Sequence, residues 1–277
     1  MFPEIYLPQP ALRPFVKFYL TQQFDANPGV HNTVSCKGLA ALKFSFKTPA
    51  ITSFYYNGTA PEDKVHLREK PAMIGPPTTF GEAYFEGEQN LLLVALQPTA
   101  THYFIKESAT AMTNRAINIE LVEKTFNEVQ EKLFTVTQAQ AAIQLLEPYL
   151  IQFFRNNVGK AWQKDLLVIT DYIDQHQGLV SVEDLAKQFH LSRSWLEKQF
   201  KTQIGMTPKG YARVIRFRNV MKHLYHSPQP SWMEVVARYN YTDQSHFIKD
   251  FYQFTGSSPK VHFQKINVID QDLHQSF

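Results

Sequence analysis

Two stretches of this chain repeat one pattern, and that repeat limits the fold more than any other feature. Ser181 to Lys201 reads SVEDLAKQFHLSRSWLEKQFK, and Ser231 to Phe263 reads SWMEVVARYNYTDQSHFIKDFYQFTGSSPKVHF. In the first, Ser181 stands as an N-cap before Asp184, and Val182, Leu185, Ala186 and Phe189 recur at helical spacing. His190 and Leu191 interrupt the pattern. Ser192 caps a second helix whose buried pair, Leu196 and Phe200, lies four residues apart. Two short helices joined by so tight a turn read as a helix-turn-helix. In the second stretch Ser231 caps, Val235, Val236 and Tyr239 face inward, and Phe247 and Phe251 form the equivalent pair. Gly205 corresponds to Gly256, Pro208 to Pro259 and Lys209 to Lys260. The spacing therefore predicts helix-turn-helix units over 181–203 and 231–255.

The stretch from Leu166 to about Phe263 resembles the AraC-type (arabinose-regulator-like) transcription factors, most closely in YTDQSHFIKDFYQFTGSSPKVHF. The resemblance implies an all-α DNA-binding domain of two helix-turn-helix subdomains joined by a long helix. It places the family's base-reading positions on Ser194, Glu197 and Lys198 in the first recognition helix, and on Gln244, Ser245, His246 and Lys249 in the second. At Tyr239-Asn240-Tyr241 the family usually has a glycine before the aromatic; asparagine also tolerates a turn conformation. The joining helix, from Pro208 to Tyr225, spans near 27 Å at about 1.5 Å per residue. That length suits two helices reading successive major-groove segments about 34 Å apart.

Charge is distributed to match. Residues 1–155 hold 13 Lys and Arg against 14 Asp and Glu, whereas residues 156–277 hold 15 against 11. Between Lys187 and Lys222 nine basic residues accompany one acid, Glu197. So one-sided a stretch is what phosphate contact requires, and Arg193, Lys201, Arg213, Arg216 and Lys260 are the expected phosphate ligands. Arg213 and Arg216 are expected to point largely outward from the joining helix.

The first 90 residues read as short strands and turns. Val16, Phe18 and Leu20 alternate, LAALKFSF at Leu39–Phe46 places Leu42, Phe44 and Phe46 on one side, and Ile51–Tyr56 runs into Asn57-Gly58. The apolar run Leu91–Leu96 is the expected central strand, stopped by Pro98. The fold class expected is α+β: a mainly antiparallel β sandwich or barrel with trailing helices in 1–157, then an all-α domain in 158–277. Helical patterns cover Leu121–Leu133 and continue to Phe154, where Pro148 would kink the helix or mark a join. Arg155 to Gly159 is the expected boundary, too short for a tether, so the two domains should touch. The segment after the sheet, with Pro98–Phe104 and Thr113-Asn114-Arg115, resembles the sensor-like N-terminal domain of a largely uncharacterised AraC subgroup.

Other classes are weakly supported. The N-terminal part holds only His31, His66 and His102, with neither His-x-His nor His-x-x-x-His spacing for a cupin-like metal enzyme; no phosphate loop, Cys-x-x-Cys or Gly-x-Ser-x-Gly occurs. We therefore expect no enzyme, metal or cofactor. The single cysteine, Cys36, fits a reducing compartment and a place in the sheet core. No run of 18 apolar residues is present and the N-terminus lacks the form of a secretory signal, so a cytoplasmic protein without a membrane span is expected. Phe54, Tyr56, Tyr84 and Phe85 are candidates for lining an effector pocket. The expected partners are duplex DNA, a small-molecule effector, a second copy of the chain, and RNA polymerase if the protein activates. The alternative is a regulator whose first domain only dimerises or binds another protein.

Overall fold

The computed structural model describes residues 3–58, 65–66, 70–105, 108–158, 164–226 and 231–264. Among the described residues ten strands form two antiparallel sheets. Strands β1 (Glu4–Tyr6), β2 (Val16–Asp25), β9 (Glu88–Leu96), β4 (Ala41–Ser45), β7 (Ala72–Ile74) and β10 (Ala116–Asn118) make the larger sheet, in the order β1-β2-β9-β4-β7-β10. Strands β3 (Val30–Val34), β8 (Gly81–Glu86), β5 (Ile51–Tyr56) and β6 (Val65–His66) make the smaller, in the order β3-β8-β5-β6. The apolar run Leu91–Leu96 does lie centrally, with β9 paired to β2 on one side and β4 on the other.

Alternation along β4 sorts two cores. Leu42 and Phe44 face the helices and join Leu92, Val94, Phe126, Leu146 and Phe154 in the largest apolar cluster. Ala41, Lys43 and Ser45 take the opposite face, toward the smaller sheet, by the period of two. Helices α1 (Thr125–Leu133) and α2 (Ala139–Asn157) cover the larger sheet. The buried Gln130 side chain fixes α1 to β4 by accepting from the Ser45 N–H at 3.1 Å and donating to the Ser45 carbonyl at 2.7 Å. Pro148 neither ends nor divides α2, which also absorbs Arg155–Asn157 of the expected boundary; Gly159 lies outside the described residues. The stretch after Pro98 is a 3-10 turn over Pro98–Phe104.

Helices α3 (Lys164–Gln175), α4 (Val182–Gln188), α5 (Arg193–Gln199), α6 (Pro208–His226), α7 (Trp232–Arg238), α8 (Gln244–Thr255) and α9 (Pro259–Gln264) follow. The caps read from the sequence form: the Ser181 hydroxyl accepts from the Asp184 N–H at 3.0 Å, and Ser192 accepts from Trp195 at 3.2 Å. In the second unit Asp243 accepts from the His246 N–H at 2.7 Å. Both inter-helix turns contain a left-handed residue, His190 at φ 53° and Asn240 at φ 52°. Asparagine thus holds the conformation for which a glycine would otherwise serve. Among the described residues no helix is long and apolar enough to cross a membrane.

Candidate nucleic-acid interface and effector cavity

In the first unit α5 runs into a π-helical turn, Phe200–Ile204, before Gly205; in the second α8 runs directly to Gly256. Both glycines are left-handed, at φ 90° and φ 74°. Leu196 and Phe200, Phe247 and Phe251 are buried as the spacing predicts. The intervening face projects outward in both copies: Ser194, Lys198, Gln244, Ser245 and Lys249 are exposed, and Glu197 and His246 are half-buried. Glu197 lies 3.8 Å from the Lys201 ammonium one turn on, and Arg193 pairs with Glu183 of α4 at 2.6 Å. Lys201 and Lys260 are exposed as well.

A groove of about 760 Å³ separates the units, between the Gly178–Glu183 turn and α8. Lys209, Arg213, Arg216, His246 and Lys249 contribute basic groups to it, against Glu183 and Asp250. Lys209, at the start of α6, is a contributor that the sequence reading placed only as the counterpart of Lys260.

The arginines of α6 correct one expectation. Arg213 and Arg216 do not point freely outward, because both engage Asp250 of α8, which is 2% exposed. Arg213 donates to Asp250 Oδ1 from Nε at 3.0 Å and Nη2 at 2.7 Å, and Arg216 Nη2 donates to Oδ2 at 3.2 Å. Their guanidinium groups also lie over aromatic rings, Arg213 over Phe254 at 5.0 Å and Arg216 over Tyr241 at 4.2 Å. These arginines join the connecting helix α6 to α8. The sequence signal was present, an acid on α8 one position beyond exposed Lys249, but its burial could not be read from helical spacing alone.

The sheet domain grips the C-terminal ends of both helix-turn-helix units. Near Gly205, Thr113 donates to the Gly205 carbonyl and Ser108 to the Lys201 carbonyl at 3.1 Å. A Cβ on Gly205 would stand 2.8 Å from the Ala109 carbonyl oxygen and 2.9 Å from Pro76, so glycine permits this approach as well as the φ. Near Gly256, the Gln253 carbonyl accepts from the Phe80 N–H at 3.3 Å and the Thr79 hydroxyl at 3.0 Å. Gln253 Nε2 donates to the Thr78 carbonyl at 3.1 Å, and the Cys36 N–H donates to the Phe254 carbonyl at 2.9 Å. One loop between β7 and β8, Pro76 to Phe80, therefore touches both units. Cys36 lies in this joint and not in the sheet core, packed with the C-terminal cluster. Burial pushes its thiol up to about 12. A further link runs from Lys17 of β2 to Asp174 of α3 at 3.1 Å, with Arg218 of α6 on the same carboxylate. Burial, the largest influence, lowers the Lys17 pKa.

Between the sheets lies an apolar cavity of about 130 Å³. Phe54 and Tyr56 line it as expected, together with Phe18, Leu93 and Ala95. Two members of the expected lining fall elsewhere. Tyr84 takes the outer face of β8, its ring 4.7 Å from that of His31, and Phe85 packs against Phe24 without reaching the cavity lining. The period of two separates Tyr84 from its inward neighbours Ala83 and Phe85. Ser35, Lys37, Pro77 and Thr79 complete one side, placing the cavity next to both segments that hold α8.

Residues 185–265 match a helix-turn-helix domain family, and residues 4–118 match a domain of unknown function. A probable transcriptional regulator, LumQ of Photobacterium leiognathi, is 27% identical over 218 residues, covering 77% of this chain and 76% of LumQ. The lactose operon transcription activator of Staphylococcus xylosus is 30% identical over 104 residues, 36% of this chain and 37% of that protein. Among solved structures, ToxT of Vibrio cholerae O395 aligns over 91% of this chain and 98% of its own at 8% identity, with a TM-score of 0.49. The duplicated units, their shared turns and the match over residues 185–265 lead to one assignment: the C-terminal part of the chain is an AraC-type helix-turn-helix domain.

Proposed function

We propose that this transcriptional regulator reads two successive major-groove segments with α5 and α8, and that a small apolar effector in the sandwich sets how the two helices are presented. The observation that carries the effector reading is the Pro76–Phe80 loop. Pro77 and Thr79 line the cavity, while Pro76 abuts Gly205 and Thr78 to Phe80 bond Gln253. A ligand that moved this loop would act on both recognition helices at equivalent points, which is the differential contact that coupling between sites requires. We assign 1–157 as the effector domain and 158–277 as the DNA-binding domain.

Within the interface, Lys198 and Lys249 occupy equivalent exposed points of the repeat and suit guanine O6 and N7, and Gln244 suits adenine N6 and N7. Arg193, Lys201, Lys209 and Lys260 suit phosphates. Replacing Lys198 or Gln244 by alanine should cost about 1–3 kcal/mol at one preferred base pair and relax the preference there. A randomised-site binding selection on each variant checks this; variants that kept the wild-type motif and lost only overall affinity would remove the base-reading assignment. With about six phosphates contacted, log affinity should fall against log salt with a slope near -5. A slope shallower than about -2 would make the basic stretch a solvated face.

The effector reading is tested by thermal shift of the full chain against a metabolite library, followed by DNA affinity with each stabilising compound. Compounds that stabilise the wild type should change its DNA affinity and lose that effect in Ala95→Leu, which fills the cavity. Stabilising compounds that left DNA affinity unchanged would exclude the cavity as a control site.

A further inference from the structure

The inward face of β4 carries polar groups that no part of the established fold uses. Lys43 is 2% exposed, and among the described residues its ammonium has no hydrogen-bond or ion-pair partner. Ser45, two residues on along the same face and fully buried, has an equally unpartnered hydroxyl. Unpaired lysine in an apolar interior is costly and is ordinarily replaced or paired. The cavity lining stops one position short of this pair. Ala41 precedes Lys43 on the same face, Leu93 stands directly across the β4–β9 ladder from it, and both line the cavity. On the other side Lys43 faces Ala72 of β7, whose inward neighbour Ile74 also lines it.

We infer that the sandwich takes a small apolar monocarboxylate, its hydrocarbon part in the cavity and its carboxylate on Lys43 with Ser45 as a second donor. The inference rests on the effector reading above and names the effector's chemical class. A carboxylate would supply the counter-charge and the acceptor that both side chains lack. The cavity volume suits roughly a benzene-sized or short aliphatic body, since an engineered apolar cavity of about 150 Å³ holds benzene. Of the residues lining the cavity none is acidic, and its titratable members are Lys37 and Tyr56. Tyr56 donates its hydroxyl to the Gly75 carbonyl at 2.8 Å, and burial raises its pKa, so it remains neutral. The inward positions of β9 nearest Lys43 are Leu91, Leu93 and Ala95, and those of β5 are Thr52, Phe54 and Tyr56; none carries a charge.

Burial alone lowers the Lys43 pKa to about 8. An anion that needs the ammonium form then binds fully below that value and loses affinity as pH rises through it. Affinity should therefore fall, at least severalfold, as pH rises from 7 through about 8 to 9.5.

The test is calorimetric titration of the full chain with hexanoate and benzoate, and with hexan-1-ol and benzyl alcohol as matched neutral probes. The acids should bind at least tenfold more tightly than the alcohols at pH 7, lose affinity at least severalfold by pH 9.5, and lose their advantage in Lys43→Met. Ser45→Ala should weaken the acids several-fold and leave the alcohols unchanged. Equal binding of acids and alcohols would overturn the carboxylate while leaving a cavity for a neutral effector. Acid binding that survived Lys43→Met but vanished in Lys37→Met would overturn the assignment to Lys43. Binding of none of the four probes would overturn it too, and library compounds acting through the cavity would then show whether the effector reading survives. The pH series on the wild type decides independently of whether any variant folds.

Discussion

Replacing Asp250 by alanine should destabilise the C-terminal domain by about 3–5 kcal/mol, the usual result of removing one partner from a buried ionic cluster. The carboxylate is 2% exposed and accepts three hydrogen bonds from Arg213 and Arg216. Without it two guanidinium groups are left facing each other at the junction of α6 and α8. Arg213 also donates to Gln253 Oε1 at 2.6 Å, and Gln253 is the residue that the Thr78–Phe80 segment holds. The loss should therefore loosen both the packing of α8 and its attachment to the sheet domain. Urea denaturation followed by circular dichroism measures the change. A loss below about 1 kcal/mol would mean that the cluster behaves as a surface ion pair. Arg216→Ala alone should cost less, because Arg213 still neutralises the acid. A double-mutant cycle between positions 216 and 250 should show coupling of about 0.5–3 kcal/mol.

The second large effect concerns the division of labour. A fragment of residues 1–157 is expected to bind duplex DNA on the order of a thousandfold more weakly than the full chain, that is, no better than non-specifically. A fragment of residues 160–277 should retain binding. The charge is divided accordingly, 13 basic against 14 acidic residues in 1–155 and 15 against 11 in 156–277, and both exposed recognition faces belong to the second fragment. Gel shifts at physiological salt with the two fragments decide it. Binding by the first fragment, or a folded second fragment that failed to bind, would end the assignment. The joint adds a condition, since the second fragment loses the partners of Gln253, Phe254 and Gly205. Its thermal midpoint should fall below that of the same residues in the full chain.

Much of the DNA-binding half was legible in the sequence because its determinants are local. Ser181, Ser192 and Ser231 cap the helices that follow them, and pairs such as Leu196 with Phe200 are buried by a spacing that one helical turn fixes. A turn or a cap depends on residues within three or four positions, so twenty residues carry enough information to specify it. The central place of Leu91–Leu96 was legible for a similar reason, an unbroken apolar run suiting a strand covered on both faces. Contacts far apart in the chain were decided only by the tertiary structure. Helical spacing puts Arg213 and Arg216 outside the apolar stripe of α6 but cannot say that Asp250, more than thirty residues later, closes over them. Tyr84 and Phe85 looked alike as aromatic neighbours of a turn, and strand register alone sent one outward and the other in. Cys36 read as a small core residue, which its burial satisfies, but the core it enters belongs to the other half of the molecule. Nothing in the run LAALKFSF sets Lys43 apart. That its ammonium is sealed between two sheets follows from the pairing of β4 with β7 and β9 and the covering by the smaller sheet, a set of long-range choices that no local pattern encodes.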